Sequence, residues 1–143
     1  MIHRKIIYLY LMLFANTATL SPVQTQVKTI SNEDELLSLF DQTEPTIVMG
    51  SMEACPHCKT IGPLFDDLSK KNRSICFVKA NGLTTKMHVH VKNESSRQNT
   101  DFKIIGYPAF VFIKDKKIVN VVIGATPERL ENAIRCLLTN TPF

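Results

Sequence analysis

Apolar residues recur along the chain at two spacings, and the switches between them mark out the elements. Val27 to Ile30 reads as a short strand. Ser31 then stands in position to cap a helix, with Asp34 three residues on, and Leu36, Leu37, Leu39 and Phe40 supply the apolar face. Pro45 closes that segment. Thr46-Ile47-Val48-Met49 is a short apolar run with β-branched residues, which marks a buried strand. Ile61, Leu64, Phe65 and Leu68 fall at i, i+3, i+4 and i+7, one face of a helix whose start lies near residue 55. Pro63 inside it predicts a kink. Ser74 to Ala80 reads as another buried strand.

The stretch from Asn81 to Gly106 is the least legible. Met87, Val89 and Val91 alternate as in a strand, and Asn93 is placed to cap a helix running to about Phe102. Beyond it the pattern is clear again. Ala109 to Ile113 and Ile118 to Ile123 are strands joined through Lys114-Asp115-Lys116-Lys117, spaced for an antiparallel hairpin. Thr126 as N-cap, Pro127 at the first helical position, and Leu130, Ala133, Ile134 and Leu137 then mark a final amphipathic helix. The order β, α, β, α, β, then helix, hairpin, helix implies an α/β sandwich with a central mixed β-sheet flanked by helices.

Composition narrows the function classes. The 143 residues amount to one domain, and with 44% of them apolar they can bury a core, which excludes a disordered or collagen-like chain. Seventeen Lys and Arg against thirteen Asp and Glu leave +4, with no run of five basic residues, so nucleic acid is not an expected partner. The first twenty residues differ from the rest. His3, Arg4 and Lys5 open the chain, and Ile6 to Ala15 follow without a charge. That run falls short of the roughly 20 residues a membrane span needs. Residues 1–20 therefore read as a secretory signal peptide, with an uncleaved N-terminal anchor as the alternative, and residues 21–143 as the domain. Export to the periplasm or outside the cell puts cysteines where disulfides persist.

Four cysteines are too few for a disulfide-dense scaffold, but Cys55-Pro56-His57-Cys58 sits at the start of the central helix, directly after a buried strand. Cys76 lies in an apolar strand and reads as a small core residue, whereas Cys136 falls off the stripe of the last helix and reads as partly exposed. If residues 87–91 form a strand, His88 and His90 share a face, and with Cys55 and Cys58 they offer a copper- or zinc-binding reading. Glu53 reads as a solvated carboxylate or, second, a proton relay. Lys59 reads as exposed.

Taken together, the chain resembles the thioredoxin superfamily. The strand Thr46 to Met49, the Cys55-Pro56-His57-Cys58 motif, Lys59, Pro63, Gly106-Tyr107-Pro108 before a hairpin, and Gly124 before the last helix all stand in family order. The inner dipeptide Pro56-His57 is similar to that of the DsbA-type periplasmic oxidases, on a body too small for that group's helical insertion. The resemblance implies a thioredoxin-like fold and thiol–disulfide exchange through Cys55 and Cys58, with Pro56 and His57 tuning the pair. It also implies a cis Tyr107–Pro108 bond beside Cys55. Such exchange needs neither cofactor nor metal. Three departures stand out: Ala54 where thioredoxins carry Trp, Met49 where they keep a buried Asp near the second cysteine, and a longer segment from Asn81 to Gly106.

The reactive species is a thiolate, and a free cysteine with pKa about 8.5 is mostly protonated at neutral pH. Cys55 at a helix N-terminus beside His57 is expected nearer the DsbA value of about 3.5 than the thioredoxin value of about 7. A pKa of about 4 would stabilise the reduced form at pH 7 by about 4 kcal/mol, equivalent to about 90 mV for a two-electron couple. The expected function is donation of disulfides to cysteine-containing exported proteins, the pair being restored by a membrane or soluble redox partner and the domain acting as a monomer. The alternative is an envelope reductase running the same chemistry in reverse.

Overall fold

The structure, a computed structural model, describes residues 26–143. The N-terminal segment read as signal peptide or anchor lies outside the described residues. Five strands, β1 (Lys28–Ile30), β2 (Thr46–Ser51), β3 (Cys76–Asn81), β4 (Ala109–Lys114) and β5 (Lys117–Ile123), form one sheet in the order β1-β3-β2-β4-β5. The first three run parallel, β4 lies antiparallel to β2, and β5 antiparallel to β4. Four helices are described: α1 (Glu33–Phe40), α2 (Pro56–Lys71), α3 (Met87–Arg97) and α4 (Pro127–Thr139). The mixed α/β sandwich expected from the element order is therefore the observed fold.

Both faces of the sheet are covered, which is why its central strands read as unbroken apolar runs. Ile47 and Met49 of β2 and Phe110 and Phe112 of β4 face α2 and α4, where they join Ile61, Phe65, Leu68, Leu130, Ile134 and Leu137. Val48, Val111 and Ile113 face the other way and meet Leu36, Leu39 and Phe40 of α1 and Met87 and Val91 of α3. Phe65 stands at the centre of the first layer, its ring centroid 5.0 Å from that of Phe77 and 5.8 Å from that of Phe110.

The element ends correct the sequence reading in two places. Asn32, not Ser31, caps α1: its side chain accepts the Glu35 N–H, and the Glu35 carboxylate accepts the N–H of Ser31, each at 2.9 Å. Residues 87–91 are helical, not extended, and α3 ends at Arg97 rather than near Phe102, so Asn93 lies mid-helix and caps nothing. Met87 and Val91 bury as an i, i+4 pair while Val89 stays 39% exposed, a helical division that a strand would not produce. Pro63, where the sequence predicts a kink, lies inside α2, which continues through it to Lys71. There the proline removes only the bond to the Lys59 carbonyl, on an exposed residue.

The β4–β5 hairpin turns through Asp115 and Lys116, with φ of 51° and 63°. Two left-handed residues in a two-residue loop match the twist of the strands. The turn amides donate to the Thr43 and Gln42 carbonyls at 3.2 and 3.0 Å. A lysine in this conformation is strained, and Lys116→Gly is expected to raise the denaturation midpoint by relieving roughly 1 kcal/mol. An unchanged midpoint in a urea titration would show that the turn carries no such strain. In β5, Val119 is an extra residue between the Phe112–Asn120 and Ile113–Ile118 pairs, a bulge in the outer strand. The Gln98 side-chain carbonyl accepts the N–H of Ile118 at 3.1 Å.

Candidate active site

Strand β2 delivers the chain through Met52, Glu53 and Ala54 to Cys55, which takes the N-cap position of α2 in extended conformation, with Pro56 as the first helical residue. A proline fits there because that residue's N–H has no intrahelical partner anyway. The Cys55 sulfur accepts the N–H of Cys58 at 3.1 Å, so the helix terminus already aims a donor at it. Cys55 and Cys58 are joined as a disulfide with their Cα atoms 5.2 Å apart.

The two sulfurs are not equivalent. Cys55 is half-buried, whereas Cys58 is 6% exposed and belongs to the core layer under α2. An incoming thiolate therefore reaches Cys55, and Cys58 works from inside. When Cys55 is released as a thiolate, the amide of Cys58 and the α2 macrodipole stabilise its charge.

His57 is exposed at the rim of an apolar groove of about 420 Å³. The groove runs past Leu64 of α2 and the Tyr107–Pro108 segment to Gly124 and Pro127 at the head of α4. The Tyr107–Pro108 bond is cis, as the resemblance implies. Gly124, at φ 56°, donates its N–H to the Pro108 carbonyl at 2.9 Å, a backbone conformation that side chains rarely adopt. The structure thus brings Cys55, Cys58, His57, Tyr107 and Pro108 to one end of the molecule. The Tyr107 hydroxyl is buried without a hydrogen-bond partner, and burial pushes its pKa up.

Beside Cys58 lies a second, open groove of about 340 Å³. Met49, 3% exposed, forms part of its wall, so β2 places no carboxylate there. Glu53 and Lys59 line it and are exposed, in keeping with the solvated reading of each. Asp66 and Lys79 also line it and are paired at 2.6 Å. This ion pair was not visible in sequence, because its members come from α2 and β3.

The remaining candidates do not join the site. On helix α3, His88 and His90 are two residues apart and so share no face. His88 is exposed, and His90 Nε2 lies 2.8 Å from a Glu33 oxygen whose partner oxygen binds Lys86 at 2.8 Å. Those contacts hold the Glu33 carboxyl below its ordinary pKa. Among the described residues no three His, Cys, Asp or Glu side chains gather as a metal site. Cys76 and Cys136 are both free and half-buried; burial, followed by the charge of Glu44, pushes the Cys76 thiol up.

Comparison with known proteins agrees with this geometry. The family model described as Thioredoxin matches residues 26–136. Thioredoxin H3 of Arabidopsis thaliana is 28% identical over 103 residues, which covers 71% of this chain and 79% of that protein. Among solved structures, the thioredoxin of Plasmodium falciparum is 27% identical with a TM-score of 0.59, covering 76% of this chain and 97% of the other. That of Schistosoma mansoni is 27% identical with a TM-score of 0.60, covering 78% and 94%.

Proposed function

Since the chain belongs to the thioredoxin family, we propose that its disulfide is passed outward, to pairs of cysteines in exported proteins. The chain is a thiol–disulfide oxidoreductase of thioredoxin type, and what is added here is direction, place and partner. A substrate thiolate attacks the Cys55 sulfur, the Cys55–Cys58 bond breaks, and Cys58 leaves and takes up a proton. A second substrate thiolate then attacks the substrate sulfur of the mixed disulfide and expels Cys55 as a thiolate. The substrate gains a disulfide and the protein becomes the dithiol. A membrane or soluble redox partner reoxidises it.

The observation that carries this reading is the placement of Cys55 at the N-cap of a 16-residue helix, with its sulfur accepting a backbone N–H and the Pro56-His57 dipeptide following. Such a sulfur is a good leaving group, and stabilisation of its thiolate makes the disulfide a stronger oxidant. The apolar segment Ile6 to Ala15, as signal peptide or anchor, supports delivery to the periplasm or beyond, and the domain acts as a monomer. The opposite direction is favoured by the matched relatives, which are named thioredoxins. Equilibration of the Cys55/Cys58 couple in glutathione buffers separates the two: about −120 mV is expected for the donor, and about −270 mV would assign the chain as a reductant.

A further inference from the structure

Tyr107, two residues ahead of β4, contributes a wall of the groove, and its ring reaches back over the sheet. It lies across the ends of β2 and β3, over two glycines. A Cβ placed on Gly82 would stand 2.2 Å from Tyr107 Cζ and 2.3 Å from its hydroxyl oxygen. One placed on Gly50 would stand 2.9 Å from Tyr107 Cε1 and 2.6 Å from Met87 Sδ. Neither glycine has a φ in the left-handed range, so what each position requires is the missing side chain and not an unusual backbone.

The floor of this slot cannot retreat. The Gly82 N–H donates to the Ser51 carbonyl at 2.8 Å, and its own carbonyl accepts the Met87 N–H at 3.1 Å. Ser51 ends the strand that leads to Cys55, and Met87, fully buried, opens α3. The ring is not held by its hydroxyl, which is buried and unpartnered. Shape alone seats it. Tyr107 and Cys55 pack against the same core layer, and Tyr107, Pro108 and His57 line one groove. The slot therefore ties the Tyr107–Pro108 main chain to the strand that carries the nucleophile.

From this geometry we infer that Gly82 is a positioning residue for polypeptide substrates: its bare backbone seats the Tyr107 ring, and the seated ring fixes the groove wall along which an extended segment beside the reacting cysteine docks. The ligand class is an extended polypeptide main chain, whatever its sequence. The inference holds for exchange in either direction, so it stands or falls separately from the potential measured above.

The test uses the full chain with insulin as the polypeptide disulfide and dithiothreitol as the electron donor. Gly82→Ala is expected to raise KM for insulin about tenfold with a smaller change in kcat. The rate at which dithiothreitol alone reduces the Cys55–Cys58 bond, and the potential of the couple, should stay at the parent values, because a small thiol needs no groove wall. Tyr107→Ala should raise KM as well. In the Tyr107→Ala background, Gly82→Ala should then add nothing, since the ring it would strike is gone. The inference is overturned if Gly82→Ala leaves KM unchanged, if it acts equally in both backgrounds, or if the dithiothreitol rate falls in parallel. Should Gly82→Ala alone not fold, Tyr107→Ala and the double variant decide: an unchanged KM in the first, or a further rise in the second, defeats it.

Discussion

Cys55→Ser is expected to bring turnover down to the uncatalysed rate, whereas Cys58→Ser should leave a covalent adduct with substrate. The difference comes from exposure. Cys55 is the sulfur that an outside group can reach, at a helix terminus that favours its thiolate, while Cys58 sits in the core layer beneath it. With serine at position 55 there is no accessible nucleophile, and the buried Cys58 cannot substitute. With serine at position 58, the Cys55 thiolate still attacks a substrate disulfide, but no internal thiol is left to release the product. The adduct should appear as a shifted band on a non-reducing gel and vanish with dithiothreitol. Turnover surviving in Cys55→Ser, or adducts forming through residue 58, would reverse the assignment of roles.

Met49→Asp is expected to destabilise the oxidised protein by roughly 2–4 kcal/mol at neutral pH, and by less in acid. Residue 49 is 3% exposed, and its neighbour in register on β3 is Lys79. Neighbours in register on parallel strands project to the same face of the sheet, so a carboxylate at 49 competes with Asp66 for the Lys79 ammonium and one ion pair replaces another. Any part left unpaired is a buried charge. Burial raises the carboxyl pKa in the folded state above its unfolded value, so the folded form is favoured when that group is protonated, and the penalty grows as pH rises through the folded pKa. Urea midpoints for variant and parent should therefore lie closer together at pH 5 than at pH 8. Equal differences at both would mean that water reaches the site freely. The family places Asp at this position, and its replacement by Met leaves Cys58 facing an apolar wall on β2.

Legibility in the sequence followed how local each determinant is. Strands β2 and β4 could be read because a run such as Ala109 to Ile113 is apolar on both faces, and nothing but a covered strand of that length suits it. The last helix could be read because Thr126 and Pro127 announce it and its buried stripe is four residues wide. Helix α3 could not. It starts at Lys86 in the left-handed conformation without a side-chain cap, so no start signal precedes it. Its buried pair, Met87 and Val91, fits a period of two as well as a helical turn, and only the exposure of Val89 tells them apart. At α1, Ser31 and Asn32 are both able to cap. The choice depends on the Glu35 carboxylate reaching back to Ser31 N–H, and spacing alone does not show that bond.

The site divides in the same way. Cys55, Cys58 and Pro108 were legible because motif and order carry them. The slot under Tyr107 was not, because Gly50, Gly82 and Tyr107 meet only through strand order, which no local spacing displays. The Asp66–Lys79 pair was hidden for the same reason.

The bulge at Val119 and the Gln98 side chain over Ile118 N–H bear on what the outer rim of the sheet offers to other chains. An unbroken rim strand presents a row of free amides and carbonyls, ready to template an extended polypeptide. Here the row is out of phase at one residue and already occupied at the next. Polypeptide substrates of thiol–disulfide exchange bring extended backbone with them, and a regular rim would hold them by accretion, far from the disulfide. The irregular one leaves them to engage at Cys55 and depart.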